Sequence, residues 1–328
     1  MNREQNKTLA EKVLNNIPQE VKPVNYLMDT LEIGKESAYR RIRGEIPFTF
    51  DEITKLSLAL GFSMDEMVGQ DQSDRVFFEL QTRLDQGPDE AFWTMLKEYY
   101  NKIMKKISKA RDMEAIVSLN RLSLIMYIKY NLLFKFAYYR WIHQLSDETL
   151  NLRFAEMQVP REIVSVQQDF KSKLRYVRNC YYILDRNLFL PIVREIQYYY
   201  HRKLITSEEV WQLQEELRAL LHSLEELMQK GVDGFGNIVY LHLSSLGIES
   251  NTAYIMCDGK CTSQYWIYHV NAVILSNWEV CSIHKKWLEA LKKHSELITR
   301  SNEMLQAEFL ETQKNYIESI NNNFNNLY

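Results

Sequence analysis

The chain has 328 residues, 46% of them apolar, with only 10 Gly and 6 Pro. That length suits two domains, and so few turn-formers weigh against a turn-rich all-β fold and for long helices. A formal net charge of −3 excludes a protein that coats nucleic acid through its overall charge, so any basic surface has to be local.

The start, Met1 to Lys12, is polar and charged and carries no secretory leader. With four Cys in a chain of this length, that implies free thiols in a reducing compartment, the cytoplasm. From Val24 to Val68 helix punctuation is dense. Pro23 suits a first turn, Tyr26, Leu27, Leu31 and Ile33 form an apolar side, and Gly34 permits a tight turn. A second short helix runs from about Glu36 to Arg43 and stops at Gly44. Thr49-Phe50-Asp51-Glu52 reads as a capping box ahead of Ile53, Leu56, Ala59 and Leu60, and Gly61 ends that helix. Ser63-Met64-Asp65-Glu66 reads as a second box, opening a last turn with Met67 and Val68.

The central pair of helices, joined by about three residues, has the spacing of a helix-turn-helix. The run Glu36-Ser37-Ala38-Tyr39-Arg40-Arg41-Ile42-Arg43-Gly44 resembles the recognition helix of phage-repressor-like (Cro-type) regulators. The run Phe50 to Met67 resembles the fourth and fifth helices of that family. The resemblance covers about a fifth of the chain. It implies a helix docked in the major groove of double-stranded DNA, with a homodimer reading a near-palindrome.

On a helix at ~100° per residue, Ala38 and Ile42 share the buried side and Arg40 points the opposite way. Glu36, Ser37 and Arg43 flank Arg40, while Lys35 and Arg41 lie to the sides, where phosphates would run. The expected DNA-binding set is therefore Lys35, Glu36, Ser37, Tyr39, Arg40, Arg41 and Arg43. Residues 1–70 hold 9 basic against 11 acidic side chains, net −2, whereas residues 35–43 hold four against one, net +3. The basic footprint is confined to that helix. The acidic balance of the head favours the competing reading, a protein-interaction factor whose head no longer binds DNA.

Asp71-Gln72-Ser73-Asp74 reads as a linker, and the helical period then dominates. Helices are expected from Asp74 to Gln86, and from Asp89 through Phe92, Leu96, Tyr99, Ile103 and Ile107. Others are expected across the aromatic stretch Met113 to Gln144, and from Pro160 through Ile163, Val166, Phe170, Leu174 and Val177. Lys129, Lys135 and Arg140 interrupt the most apolar run, Leu122 to Trp141, which reads as a buried helix and not a membrane span. Thr206-Ser207-Glu208-Glu209 is a third capping box. Behind it Val210, Leu213, Leu217, Leu220, Leu224 and Leu227 form a three-heptad seam, closing at Gly231, that needs a partner in the same chain or in a second subunit. No 34-residue repeat is found. Lys285 to Ile320 is helical, and Asn321 to Tyr328 is a frayed end.

Residues 237–280 break the helical pattern. Ile238-Val239-Tyr240-Leu241, Ala253-Tyr254-Ile255-Met256 and Tyr265-Trp266-Ile267-Tyr268 read as three strands of an antiparallel meander, with Asp258-Gly259 a hairpin turn. Cys257, Cys261, Cys281 and His284 have spacings near those of a Cys₃His zinc site, but a strand leaving Cys261 carries the chain far from Cys281. Free thiols and no metal or cofactor are the expectation. Tyr138-Tyr139, Tyr181-Tyr182 and Tyr198-Tyr199-Tyr200 read as aromatic core, with a pocket for a small-molecule or peptide effector as the competing reading. No phosphate loop, nucleophile elbow or paired-His motif indicates an enzyme.

The fold expected is mainly α. It has a helix-turn-helix domain over residues 1–70 and a helical dimerisation or sensor domain over 71–328 that contains a small antiparallel meander. The function expected is that of a dimeric cytoplasmic transcription regulator, with no membrane association.

Overall fold

The computed structural model describes residues 3–17, 21–60, 79–80, 87–99, 110, 112–145, 151–173, 180–233, 236–268 and 271–321. The chain divides into two compact units, Met1–Phe77 and Phe78–Tyr328.

The first unit holds four described helices, α1 (Arg3–Asn16), α2 (Pro23–Leu31), α3 (Lys35–Ile42) and α4 (Phe50–Leu60). They share one core, to which α1 gives Leu9, Ala10 and Val13, α2 gives Leu27 and Leu31, α3 gives Ala38, and α4 gives Ile53 and Leu56. The turn from α2 to α3 takes its left-handed residue at Glu32 (φ 56°), while Gly34 is extended at φ −70°, so the turn does not rest on Gly34 as expected. Gly44 does require glycine: its φ is +68°, and a Cβ there would lie 3.0 Å from Lys7 Cγ. The capping box of α4 is formed. The Glu52 amide donates to Thr49 Oγ1 at 3.3 Å, and the Thr49 amide donates to Glu52 Oε2 at 2.9 Å. The box at Ser63–Glu66 lies outside the described residues, as do the linker at 71–74, the helix expected over 74–86 except Glu79-Leu80, the positions Ile103, Ile107, Leu174 and Val177, and the tail from 322.

The second unit overturns the mainly-α expectation. It is built on an eight-stranded mixed sheet, counting the two-residue β1 (Glu79–Leu80). The other strands are β2 (Met113–Leu119), β3 (Cys180–Leu184), β4 (Val239–Ser244), β5 (Thr252–Cys257), β6 (Lys260–Tyr268), β7 (Asn271–Leu275) and β8 (Ser295–Leu297). Their order is β1-β7-β6-β5-β2-β3-β4-β8. The centre is parallel: β2 pairs with β3, register Ile116 to Tyr181, and β3 pairs with β4, register Tyr182 to Leu241. The remaining pairings are antiparallel. Residues 237–280 are therefore no separate meander. β4 does not pair with β5 at all; β5 joins β2, more than 130 residues earlier in the chain. The β5–β6 hairpin is there, with Asp258 (φ 46°) and Gly259 (φ 79°) both left-handed as a type I′ turn demands. Met113–Leu119 and Glu79-Leu80 are strands where helix was expected. The reason is physical. A parallel strand covered on both faces lacks the polar alternation that marks a strand, and helical crossovers replace the Gly- and Pro-rich turns whose scarcity suggested an all-helical body.

Helices cover both faces. The crossover from β2 to β3 carries α5 (Leu124–Tyr127), α6 (Asn131–Leu145) and α7 (Arg161–Lys173); that from β3 to β4 carries α8 (Leu190–His201) and α9 (Ser207–Lys230). With Pro88–Tyr99 and α10 (Glu303–Glu318) they bury one face, where Leu119, Leu184, Val239 and Leu241 join the main core. On the other face α11 (Trp278–Lys293) lays Cys281, Leu288 and Leu291 against Ile116, Ile183 and Tyr254. The heptad seam is consumed within the chain, since all six seam residues are buried in the main core with Phe309 and Ile317 of α10. Gln214 Nε2 donates to the Ile317 carbonyl at 2.8 Å, and Arg218 grips the Glu318 carboxylate at 2.9 and 2.7 Å.

Candidate nucleic-acid interface

Helix α3 is held in place through Arg41. Its Nε donates to Glu52 Oε2 at 2.9 Å and its Nη2 to Glu52 Oε1 at 2.8 Å, a bidentate pair between α3 and α4. Nη1 donates to Ser37 Oγ at 2.5 Å and to the Ser37 carbonyl at 3.3 Å. Burial pushes the Glu52 carboxyl up, but the hydrogen bonds from Arg41 and Thr49 outweigh it and hold the pKa below the usual carboxylate value. Arg41 is thus buried and fully engaged, not standing at the flank where a phosphate would run. Ser37 is half-buried with its hydroxyl committed to Arg41.

The remaining expected residues form an open face. Lys35, Glu36, Tyr39, Arg40 and Arg43 are exposed, with the Arg40 and Arg43 side chains at 49% and 55%. Glu45 lies beside both guanidinium groups, 3.6 Å from Arg40 Nε and 3.1 Å from Arg43 Nε, and Glu36 stands 3.7 Å from Arg43 Nη2. Residue 45 was missed because it follows the helix; the Arg40 carbonyl accepts from its amide at 2.9 Å and folds it back against the basic face.

In the second unit, Cys257, Cys261, Cys281 and His284 do not converge on a metal, and among the described residues no group of three or more His, Cys, Asp or Glu could hold one. His284 Nδ1 lies 2.9 Å from Ser263 Oγ and Nε2 lies 3.2 Å from Thr252 Oγ1, so hydroxyls occupy both nitrogens, and burial pushes its pKa down to about 4. The Cys281 thiol donates to the Leu275 carbonyl at 3.6 Å. Burial, and then Cys281, raise the Cys261 thiol to about 11, a poor nucleophile. The tyrosines pack on one another: Tyr139 and Tyr199 meet edge to face at 5.0 Å, the Tyr139 hydroxyl donates to the Leu152 carbonyl at 2.8 Å, and the Tyr138 hydroxyl donates to Asp89.

No protein-family model matches the chain, and no curated protein matches it. Among solved structures, TrmBL2, described as an archaeal chromatin protein with a novel mode of DNA binding, aligns over 84% of this chain and 71% of its own at 11% identity. The TM-score is 0.24, too low to carry fold or function across. Among the described residues no helix is long and apolar enough to cross a membrane. The buried Arg41–Glu52 pair is the part of the α3 geometry that residue spacing did not reveal.

Proposed function

We propose that this chain is a DNA-binding transcription regulator, acting in the cytoplasm as a dimer, whose α3 reads the major groove of double-stranded DNA. The observation that supports it best is the division of labour on α3. Arg41 anchors the helix to α4, and Arg40 and Arg43 stand on the open face with Glu36 and Tyr39. Arg40 and Arg43 have the fork geometry that pairs with guanine, and Lys35 is left for phosphate. The Cro-type resemblance of residues 36–67 points the same way. Before base contact the DNA has to displace Glu45 from both arginines, so affinity is set against an internal carboxylate.

Selection from a random duplex pool at two salt concentrations tests the reading. An enriched motif, binding that weakens with salt, and an Arg40→Ala variant that loses about 1–3 kcal/mol of discrimination at one base position are expected. Glu45→Gln should tighten binding to all sequences alike. If no motif emerges and affinity is negligible at low salt, the head is a protein-interaction module, the reading its net charge of −2 favours.

A further inference from the structure

With the Val210–Leu227 seam buried against α10, the apolar stripe that needed a partner in the same chain or in a second subunit has it inside the chain. Another stripe is not. Helix α11 is pinned to the sheet by Cys281, His284, Leu288 and Leu291, which fixes the opposite side toward solvent. At ~100° per residue the centre of that side is the charged row Glu279, Lys286 and Lys293, and Ala290, Ile283 and Trp287 form an apolar row along one flank of it. Ile283 is 61% exposed and Trp287 46%. Trp287 stacks on His284 at 6.3 Å between ring centroids, and His284 lies on Tyr265 at 4.6 Å, so the indole is held in position before anything docks on it. A rigid aromatic beside an exposed branched aliphatic is the composition of an interface centre.

We propose that this face joins two copies of the chain, the α11 helices lying antiparallel about a two-fold axis close to Lys286. The charge pattern selects the occupant. Glu279 lies seven residues before Lys286 and Lys293 seven residues after it, in the same row of the helix. A two-fold axis at Lys286 therefore sets Glu279 of each copy level with Lys293 of the other. Neither residue has an ion pair to another described residue of its own chain, whereas Lys285 is paired with Glu114 and Lys292 with Glu289 at 2.7 Å. In that register Ile283 comes within one residue, ~1.5 Å along the helix, of the small Ala290 of the second copy, and the two Trp287 rings meet beside the axis. Lys286 faces its own copy on the solvated rim, where screening keeps the repulsion small. The interface is isologous, as a closed dimer requires. It does not depend on the head binding DNA.

Sedimentation of the full chain without DNA, from ~1 to ~100 µM, reads the equilibrium directly. The wild type should dimerise in the micromolar range, and Ile283→Glu, a change on an exposed helix face that leaves the circular dichroism intact, should weaken association by at least ~100-fold. Glu279→Lys and Lys293→Glu should each weaken it several-fold, and the two together should restore it. A wild type that stays monomeric at ~100 µM overturns the proposal, as does a dimer indifferent to Ile283→Glu, which would sit on another surface. Failure of the double charge reversal to restore association overturns the antiparallel register. Because the readout contains no DNA, none of these outcomes can be confused with failure of the DNA-reading proposal.

Discussion

Replacing Arg41 with Ala should destabilise the head by about 2 kcal/mol, less than the ~3–5 kcal/mol of a fully buried pair because both side chains keep some exposure. Replacing its neighbour Arg40 should leave the melting temperature unchanged; thermal unfolding of the two variants side by side separates anchor from reader. The sign of the acid response follows from Glu52. Its folded pKa lies below its unfolded value, so its stabilisation is in place above the unfolded value and is lost as pH falls through the folded one. Glu52→Gln should flatten the acid limb of the head's stability curve. Gly44→Ala should cost about 1 kcal/mol from the left-handed backbone, with the Lys7 contact adding to it. Much of this scale was legible beforehand: the Thr49–Glu52 box and the exposure of Arg40 follow from spacing alone. Arg41 was not. The wheel places it ~60° from Ala38, at the side of the buried arc like the exposed Lys35, and a guanidinium there reads as a surface group until its carboxylate partner on another helix is known.

The 24-residue α9 shows what local pattern can deliver. Thr206 Oγ1 accepts from the Glu209 amide at 3.2 Å, the Thr206 amide donates back to Glu209 Oε2 at 2.8 Å, and Gly231 closes the helix at φ 64°. Cap, seam and stop are all readable because each lies within a few residues of its partner. Thr206→Ala should cost about 1 kcal/mol and Leu217→Ala about 3 kcal/mol, both measurable by urea unfolding. The strands β2 and β3 had no such local signature. In β2, Ala115, Ile116, Ser118 and Leu119 are all buried, and in β3 Cys180, Ile183 and Leu184 are. Val117 and Tyr182 face one side of the sheet while Ile116 and Tyr181 face the other. Both faces are apolar, so a period of two leaves no trace. β4, expected at Ile238–Leu241, was legible, as were β5 and β6, which Asp258-Gly259 joins in a type I′ turn, a two-residue signal.

At the scale of the whole second unit, two imidazoles sit where they cannot readily be charged. Burial brings both His284 and His242 from 6.5 to about 4, Lys292 adding to the effect at His242. As pH falls from about 6.5 to about 4 the unfolded chain takes up protons that the folded chain does not, so stability declines across that window. His284→Gln, which keeps hydrogen-bonding partners for Ser263 and Thr252, should make the decline shallower in denaturant titrations at successive pH values. The sheet order has a further consequence, for synthesis. β2 is central, yet its two neighbours begin only at Cys180 and Thr252. On the ribosome the head is complete long before either arrives. Until residue 257 has emerged, at least one edge of an apolar strand is open to any other nascent chain. This protein's hazard therefore lies in translation more than in the finished fold, and a product truncated before β5 should aggregate while the full chain stays in solution.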